Sequence, residues 1–167
     1  MEIIILGSGG FQTTPQPGCQ CKICQKARNN SAFSRTGPSI YLPEIDVLID
    51  TPCESKCQLN KLGHLPSNVV FSHWHPDHTE GWRVLESFPD NVKVHIPPDS
   101  MLIQRVPGLE FLEKTGRIRL MDWKPKMPIK KNGYELNYLL LDKQIPVYGF
   151  LYVDTTGLEV EEVANRV

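Results

Sequence analysis

Three histidines and an aspartate, His73, His75, Asp77 and His78, fall within six consecutive positions of the stretch FSHWHPDHT. The whole chain of 167 residues has only five histidines, so this clustering needs a cause. On an extended segment, side chains two apart project to the same side, so His73 and His75 can present their imidazoles together. Pro76 then stops the strand from continuing as a paired ladder. The chain must turn, and Asp77 and His78 swing toward the same space from the start of a helix. Two pairs of donors on either side of a rigid turn suit two metal ions, and imidazole with carboxylate favours zinc, manganese or iron over calcium or magnesium. A lone histidine here would be read as a surface or core residue satisfied by hydrogen bonds. Four such residues together point to metal.

A second group lies near the amino terminus, in Cys19-Gln20-Cys21-Lys22-Ile23-Cys24. Its members are too closely spaced to pair easily among themselves, and the total of five cysteines is odd. In a reducing compartment such a cluster binds metal more often than it forms disulfides, the alternative being a reduced, empty cluster. Cys53 and Cys57 would lie one helical turn apart and read as small buried apolar residues.

The rest of the composition narrows the function by exclusion. A net charge of -1 with no basic block gives no reason to expect nucleic-acid or anionic-lipid binding, so selectivity must come from a local site. The amino terminus, MEIIILGSGG, is too short in apolar residues and wrongly flanked for a signal peptide or membrane span, which makes the cytoplasm the default location.

The elements that must position these residues can be read from the apolar pattern. Residues 2–6 read as a buried strand stopped by Gly7-Ser8-Gly9-Gly10, a plain turn rather than a phosphate loop, because no Gly-Lys-Ser/Thr follows. Residues 11–38 read as a long loop with one helical turn at 23–28. Strands are expected at 39–42, 46–50, 68–72, 92–96, 117–123, 134–141 and 148–153. Helices are expected at 53–62, stopped by Gly63, at 79–88 from the spacing of Trp82, Leu85 and Phe88, and at 158–167. The sum is one mixed α/β domain spanning residues 1–167.

SHWHPDHTEG resembles the H-x-H-x-D-H signature of the metallo-β-lactamase superfamily, and other segments follow that family in order. LGSGG at 6–10 is similar to its first strand and turn, VLIDTP at 47–52 to a strand ending in a buried acid, and YGFLYVDTTG at 148–157 to the strand ending in the metal-bridging aspartate. PGCQCKICQKAR looks like the phosphoribosyl cyclic phosphodiesterase of phosphonate breakdown, in whose branch three thiolates and a later histidine hold a structural zinc. The resemblance implies an αββα sandwich and a dinuclear hydrolase. His73 and His75 would hold one Zn2+ or Mn2+, Asp77 and His78 the other, and Asp154 would bridge them. Asp77 and His78 count as catalytic as well as ligating, Asp50 as the acceptor for a ligand histidine N–H, and Cys19, Cys21 and Cys24 as ligands of a structural zinc. The implied substrate is a small-molecule phosphodiester.

The sequence also departs from that pattern. Lys143, in LDKQIPVYGF, stands where the family places another histidine, and a protonated lysine has no lone pair to give a metal. The chain reaches Val167 before the family's remaining ligands, so the expected fold is truncated in its carboxyl-terminal half. A homo-oligomer covering the open sheet is one expectation that follows. The other is a shortened product of a longer ancestral chain with marginal stability, and the rival to the hydrolase reading is a catalytically impaired metal-binding or oligomerising module derived from the same fold. His64, His95, Cys53 and Cys57 match no family ligand position and are read as ordinary buried or surface residues.

Overall fold

A computed structural model describes residues 1–97, 106–122, 127–142 and 147–156. The helix expected at 158–167 and Lys143 lie outside the described residues. Among the described residues nine strands form two sheets: β1 (Ile4–Gly7), β2 (Ser39–Leu42), β3 (Val47–Ile49), β4 (Asn68–Val70), β5 (Val92–Ile96) and β6 (Ile118–Asp122) in one, and β7 (Ile129–Lys131), β8 (Tyr134–Asp142) and β9 (Val147–Asp154) in the other. In the larger sheet the spatial order follows the chain, β1 to β6. The first three strands pair antiparallel and β3 to β6 run parallel.

The short parallel strands are apolar because both of their faces are covered, and Val47, Leu48 and Ile49 of β3 are all buried. One face carries α2 (Ser55–Leu62), α4 (Pro107–Lys114) and a 3₁₀ segment at Glu80–Ser87. Leu59, Leu85, Phe88, Leu109 and Leu112 from that layer meet Leu48, Val69, Val94, Ile96 and Ile118 from the sheet. The other face packs Leu42, Val47, Ile49 and Val70 against Leu136, Tyr138, Phe150 and Tyr152 of the second sheet. Each such side chain, fully removed from water, contributes about 1.5–3 kcal/mol. The described residues thus form three layers: helices, a six-stranded sheet and a three-stranded sheet.

Among the described residues the second sheet is narrower than the first. Ile5 pairs with Ile40 and shares its face, yet Ile5 is 66% exposed while Ile40 packs against the inter-sheet core. Among the described residues, β9 is the outer strand of its sheet on one side.

Two expectations are corrected. The segment after the histidines is α3 (Pro76–Thr79) followed by the 3₁₀ stretch, not an α-helix from 79. Its apolar residues recur every three positions, which is the 3₁₀ repeat. Cys53 and Cys57 are exposed rather than buried.

Candidate metal centre

β3 and β4 are parallel neighbours, so the loops leaving their carboxyl ends emerge side by side, where open α/β sheets take ligands. Asp50, directly after β3, takes a left-handed backbone conformation (φ 63), a cost tolerated where the surroundings fix it. Phe71, fully buried after β4, gives its N–H to the carbonyl of His95 and anchors the segment that follows. His75 is the extended N-cap of α3, and Pro76 sits at the first helical position, where its missing N–H costs nothing. The two loops are tied together by Thr51 N–H to the His78 carbonyl and Gly81 N–H to the Thr51 carbonyl, both 2.8 Å. A Cβ at Gly81 would run into the Pro52 carbonyl, so this close approach requires glycine.

Three imidazoles meet at this end of the sheet. The His73 ring lies 4.0 Å from that of His78 and 4.6 Å from that of His75, centroid to centroid. Beneath them Asp50 is 5% exposed and accepts three hydrogen bonds of 2.7 Å: from Ser72 N–H, from the Ser72 hydroxyl and from His78 Nδ1. A carboxylate only accepts, so His78 carries its proton on Nδ1. The single Ser72 proton goes to Asp50, so His73 Nδ1, 2.9 Å from Ser72 Oγ, is the donor in that contact. Both rings therefore keep an unspent lone pair on Nε2, the form a metal requires. Asp77 Oδ2 lies 3.7 Å from His78 Nε2.

The electrostatics divide the rings. Burial works against charge on His78, but the hydrogen bond and charge of Asp50, with Asp77 behind them, win and hold it above its ordinary value. Burial, with His78 and His75 close by, pushes His73 below its own.

The structure does not bring Asp154 to this cluster. Asp154 is exposed, accepts from Thr156 N–H at 2.9 Å and from the Thr156 hydroxyl at 2.5 Å, and pairs in register with Tyr134. Tyr134 follows the Asn132–Gly133 turn, and Asn132 donates to the carbonyl of Glu44. Tyr152, two residues before Asp154, donates to the Glu44 carboxylate. Glu44 lies in the turn before β3, whereas Asp50 follows it, and the strand between them spans about 10 Å. β9 runs antiparallel to β8 and so carries its last residue back to the turn where β8 began, at the end of the sheet away from the histidines. The expected bridging role is corrected on that ground.

The cysteines do assemble. Cys21 is the N-cap of α1 (Lys22–Asn29), and its Sγ accepts from Cys24 N–H at 3.4 Å; Cys24 Sγ accepts from Gln16 N–H at the same distance. The sulfurs of Cys19, Cys21 and Cys24 all lie within 4.8 Å of one another. The backbone hydrogen bond from Cys24, helped by the thiols of Cys19 and Cys24, lowers the Cys21 thiol to about 7. Among the described residues this is the one group of three donors gathered to that closeness, so the histidine donors are spread more widely than a single ion would demand.

Sequence reasoning missed Ser72. Its signal was slight, a hydroxyl between the end of a strand and the first histidine, and the reason for it appears only once Asp50 is seen beneath it.

No model of a known protein family matches the chain, and no curated protein does. Solved structures match it well. A diphosphatase of the PhnP family aligns over 90% of this chain with a TM-score of 0.69 and 22% identity. Zinc-bound PqqB from Methylobacterium extorquens aligns over 92% with a TM-score of 0.65 and 18% identity. The metallo-β-lactamase fold protein YhfI from Bacillus subtilis aligns over 91% with a TM-score of 0.55 and 12% identity. The chain spans 61%, 59% and 58% of the length of these three. On this likeness the chain has the metallo-β-lactamase fold, present over about three-fifths of its length in those structures.

Proposed function

We propose that the chain is a metal-dependent hydrolase acting on a small phosphodiester, with His73 and His75 holding one divalent ion, zinc or manganese, and Asp77 and His78 the other. The observation that carries this reading is the Asp50–Ser72 network, which spends the Nδ1 atoms of His73 and His78 and leaves their Nε2 lone pairs free. Three imidazoles and a carboxylate are a fitting donor set for such ions. When bound, the ions would supply a water of lowered pKa and positive charge facing the negative charge that develops at phosphorus.

The chain's own residues do the positioning. Asp50 fixes the tautomer and direction of His78, as a carboxylate behind a ligand histidine does. Ser72 passes the same constraint to His73. The cap geometry of α3 holds His75 and Asp77 on either side of Pro76. Asp154 has no part in this ligand set. We assign Cys19, Cys21 and Cys24 to a second, thiolate-bound zinc that pins the amino-terminal loop.

Turnover of bis(p-nitrophenyl) phosphate with added manganese or zinc, abolished by His75→Ala, is the expected result. Absence of metal-stimulated hydrolysis of phosphodiesters, lactones and thioesters would overturn the reading. The placement of Asp154 favours one rival, a metal-binding module of this fold without turnover. That rival predicts bound metal, lost in His75→Ala, and no hydrolysis with any added ion.

A further inference from the structure

Residues paired across neighbouring strands stand on one face of the sheet, and two such rows cross from β3 to β6 on the side of the second sheet. One runs Val47, Asn68, Lys93, and the other Ile49, Val70, His95, Met121. Val47, Ile49 and Val70 belong to the apolar core between the sheets. The intervening residues of β5, Val92, Val94 and Ile96, belong to the core under the helices. On reaching β5 the inter-sheet face therefore changes from aliphatic to a lysine and a histidine.

At that change a cleft of about 350 Å³ lies between the rows and β7. It has the volume of a small-molecule site. Asn68, Lys93, His95 and Met121 line it from the large sheet, and Ile129, Lys130 and Lys131 from β7. One carboxylate, Asp122, also lines it, against the three lysines. The lysines are unequally engaged: Lys130 is bound to Glu135, Lys131 lies 3.7 Å from Asp46, and Lys93 has no ion pair among the described residues. Burial, with Lys93 nearby, holds His95 down at about 4, so at neutral pH it adds a polar ring without charge, its Nε2 3.3 Å from Asn68 Oδ1.

We propose that this cleft binds a small organic acid, a carboxylate on an apolar body. The Lys93 ammonium holds the carboxylate, and Met121 and Ile129 meet the body. One unspent ammonium matches the single charge of a carboxylate better than the double charge of a phosphate monoester. The cleft opens where β4 begins, and the histidines follow its other end, so this site stands apart from the hydrolytic reading.

Fluorescence titration of the full chain with dansylglycine and with its neutral carboxamide tests it, because the two probes share a body and differ in the charge. The acid is expected to bind at least about tenfold more tightly, the scale of one charge-assisted contact. Lys93 is exposed, so Lys93→Met should fold, keep the stem and lose that preference. His75→Ala should bind the acid as the unaltered protein does. Excess acetate, a charge without a body, should leave the probe in place. Equal binding of acid and amide, or an undiminished preference in Lys93→Met, would overturn the proposal. Loss of binding in His75→Ala would put the probe at the histidines and do the same, as would displacement by acetate or no binding at millimolar probe.

Discussion

The two ends of the central sheet carry similar residues and use them differently. At one end, Asp46 accepts from Tyr41, from Ser67 N–H and from His64, while Glu44 accepts from Tyr152. Each strong acceptor there is consumed by a donor from the same chain: Asp46 ties β2 to the loop before β4, and Glu44 braces the two sheets. At the other end Asp50 is equally saturated, but it lies beneath three clustered imidazoles, and those of His73 and His78, oriented through Ser72 and Asp50, keep their Nε2 lone pairs outside that network. A carboxylate beside a histidine is therefore weak evidence for a site. What separates a brace from a site is company: His64 meets Asp46 and the edge of the Tyr41 ring, whereas the His73 ring has those of His75 and His78 within 4.6 Å.

The largest effect that sharpens this contrast is loss of a ligand. His78→Ala should remove metal from the histidine site, whereas His64→Ala, at the braced end, should leave it unchanged; metal analysis after dialysis checks both. Next is the support beneath the rings. Asp50→Asn puts an amide against the His78 Nδ1 proton and should lower metal affinity by about 10- to 100-fold, measured by competition with a chelating dye. Ser72→Ala removes the link to His73 and one of the three hydrogen bonds to Asp50 but leaves the His78–Asp50 bond in place, and should fall near the lower end of that range. At the braced end, Asp46→Ala orphans three donors and should cost about 1–3 kcal/mol in urea unfolding with metal binding intact.

The smallest effect is one of pH. Despite the cost of burial, hydrogen bonds from His64, Ser67 and Tyr41 hold Asp46 at about 2, below its ordinary 3.8. A carboxylate depressed by folding stabilises the native state above its unfolded value and loses that contribution as the pH falls through the folded one. Part of the acid unfolding between about 4 and about 2 should therefore disappear in Asp46→Asn, followed by circular dichroism.

Much of the sheet was legible in the sequence because β-branched runs with turn signals at their ends mark strands; Val92–Ile96 was placed to the residue, and its buried positions alternate with others as the pleat requires. The histidines could be placed at the end of β4 for the same reason, since Pro76 marks where pairing must stop. Asp154 shows what local pattern does not carry. Each hairpin reverses the chain, so the end of the sheet that a late strand reaches depends on the parity of all preceding turns. The spacing of Trp82, Leu85 and Phe88 held more information than an amphipathic helix, because a strict period of three belongs to the 3₁₀ form. α4 and β7 were missed, one being short and opened by Pro107-Gly108, the other only three residues long.

The central claim is that the histidine cluster, and not Asp154, defines the metal site. Elemental analysis of the purified chain with Cys19, Cys21 and Cys24 blocked by alkylation tests it directly, comparing the unaltered protein with His75→Ala and Asp154→Ala. Metal retained by the unaltered protein and by Asp154→Ala but lost from His75→Ala is the result expected. Metal that survives His75→Ala, or that leaves with Asp154→Ala, would contradict the account.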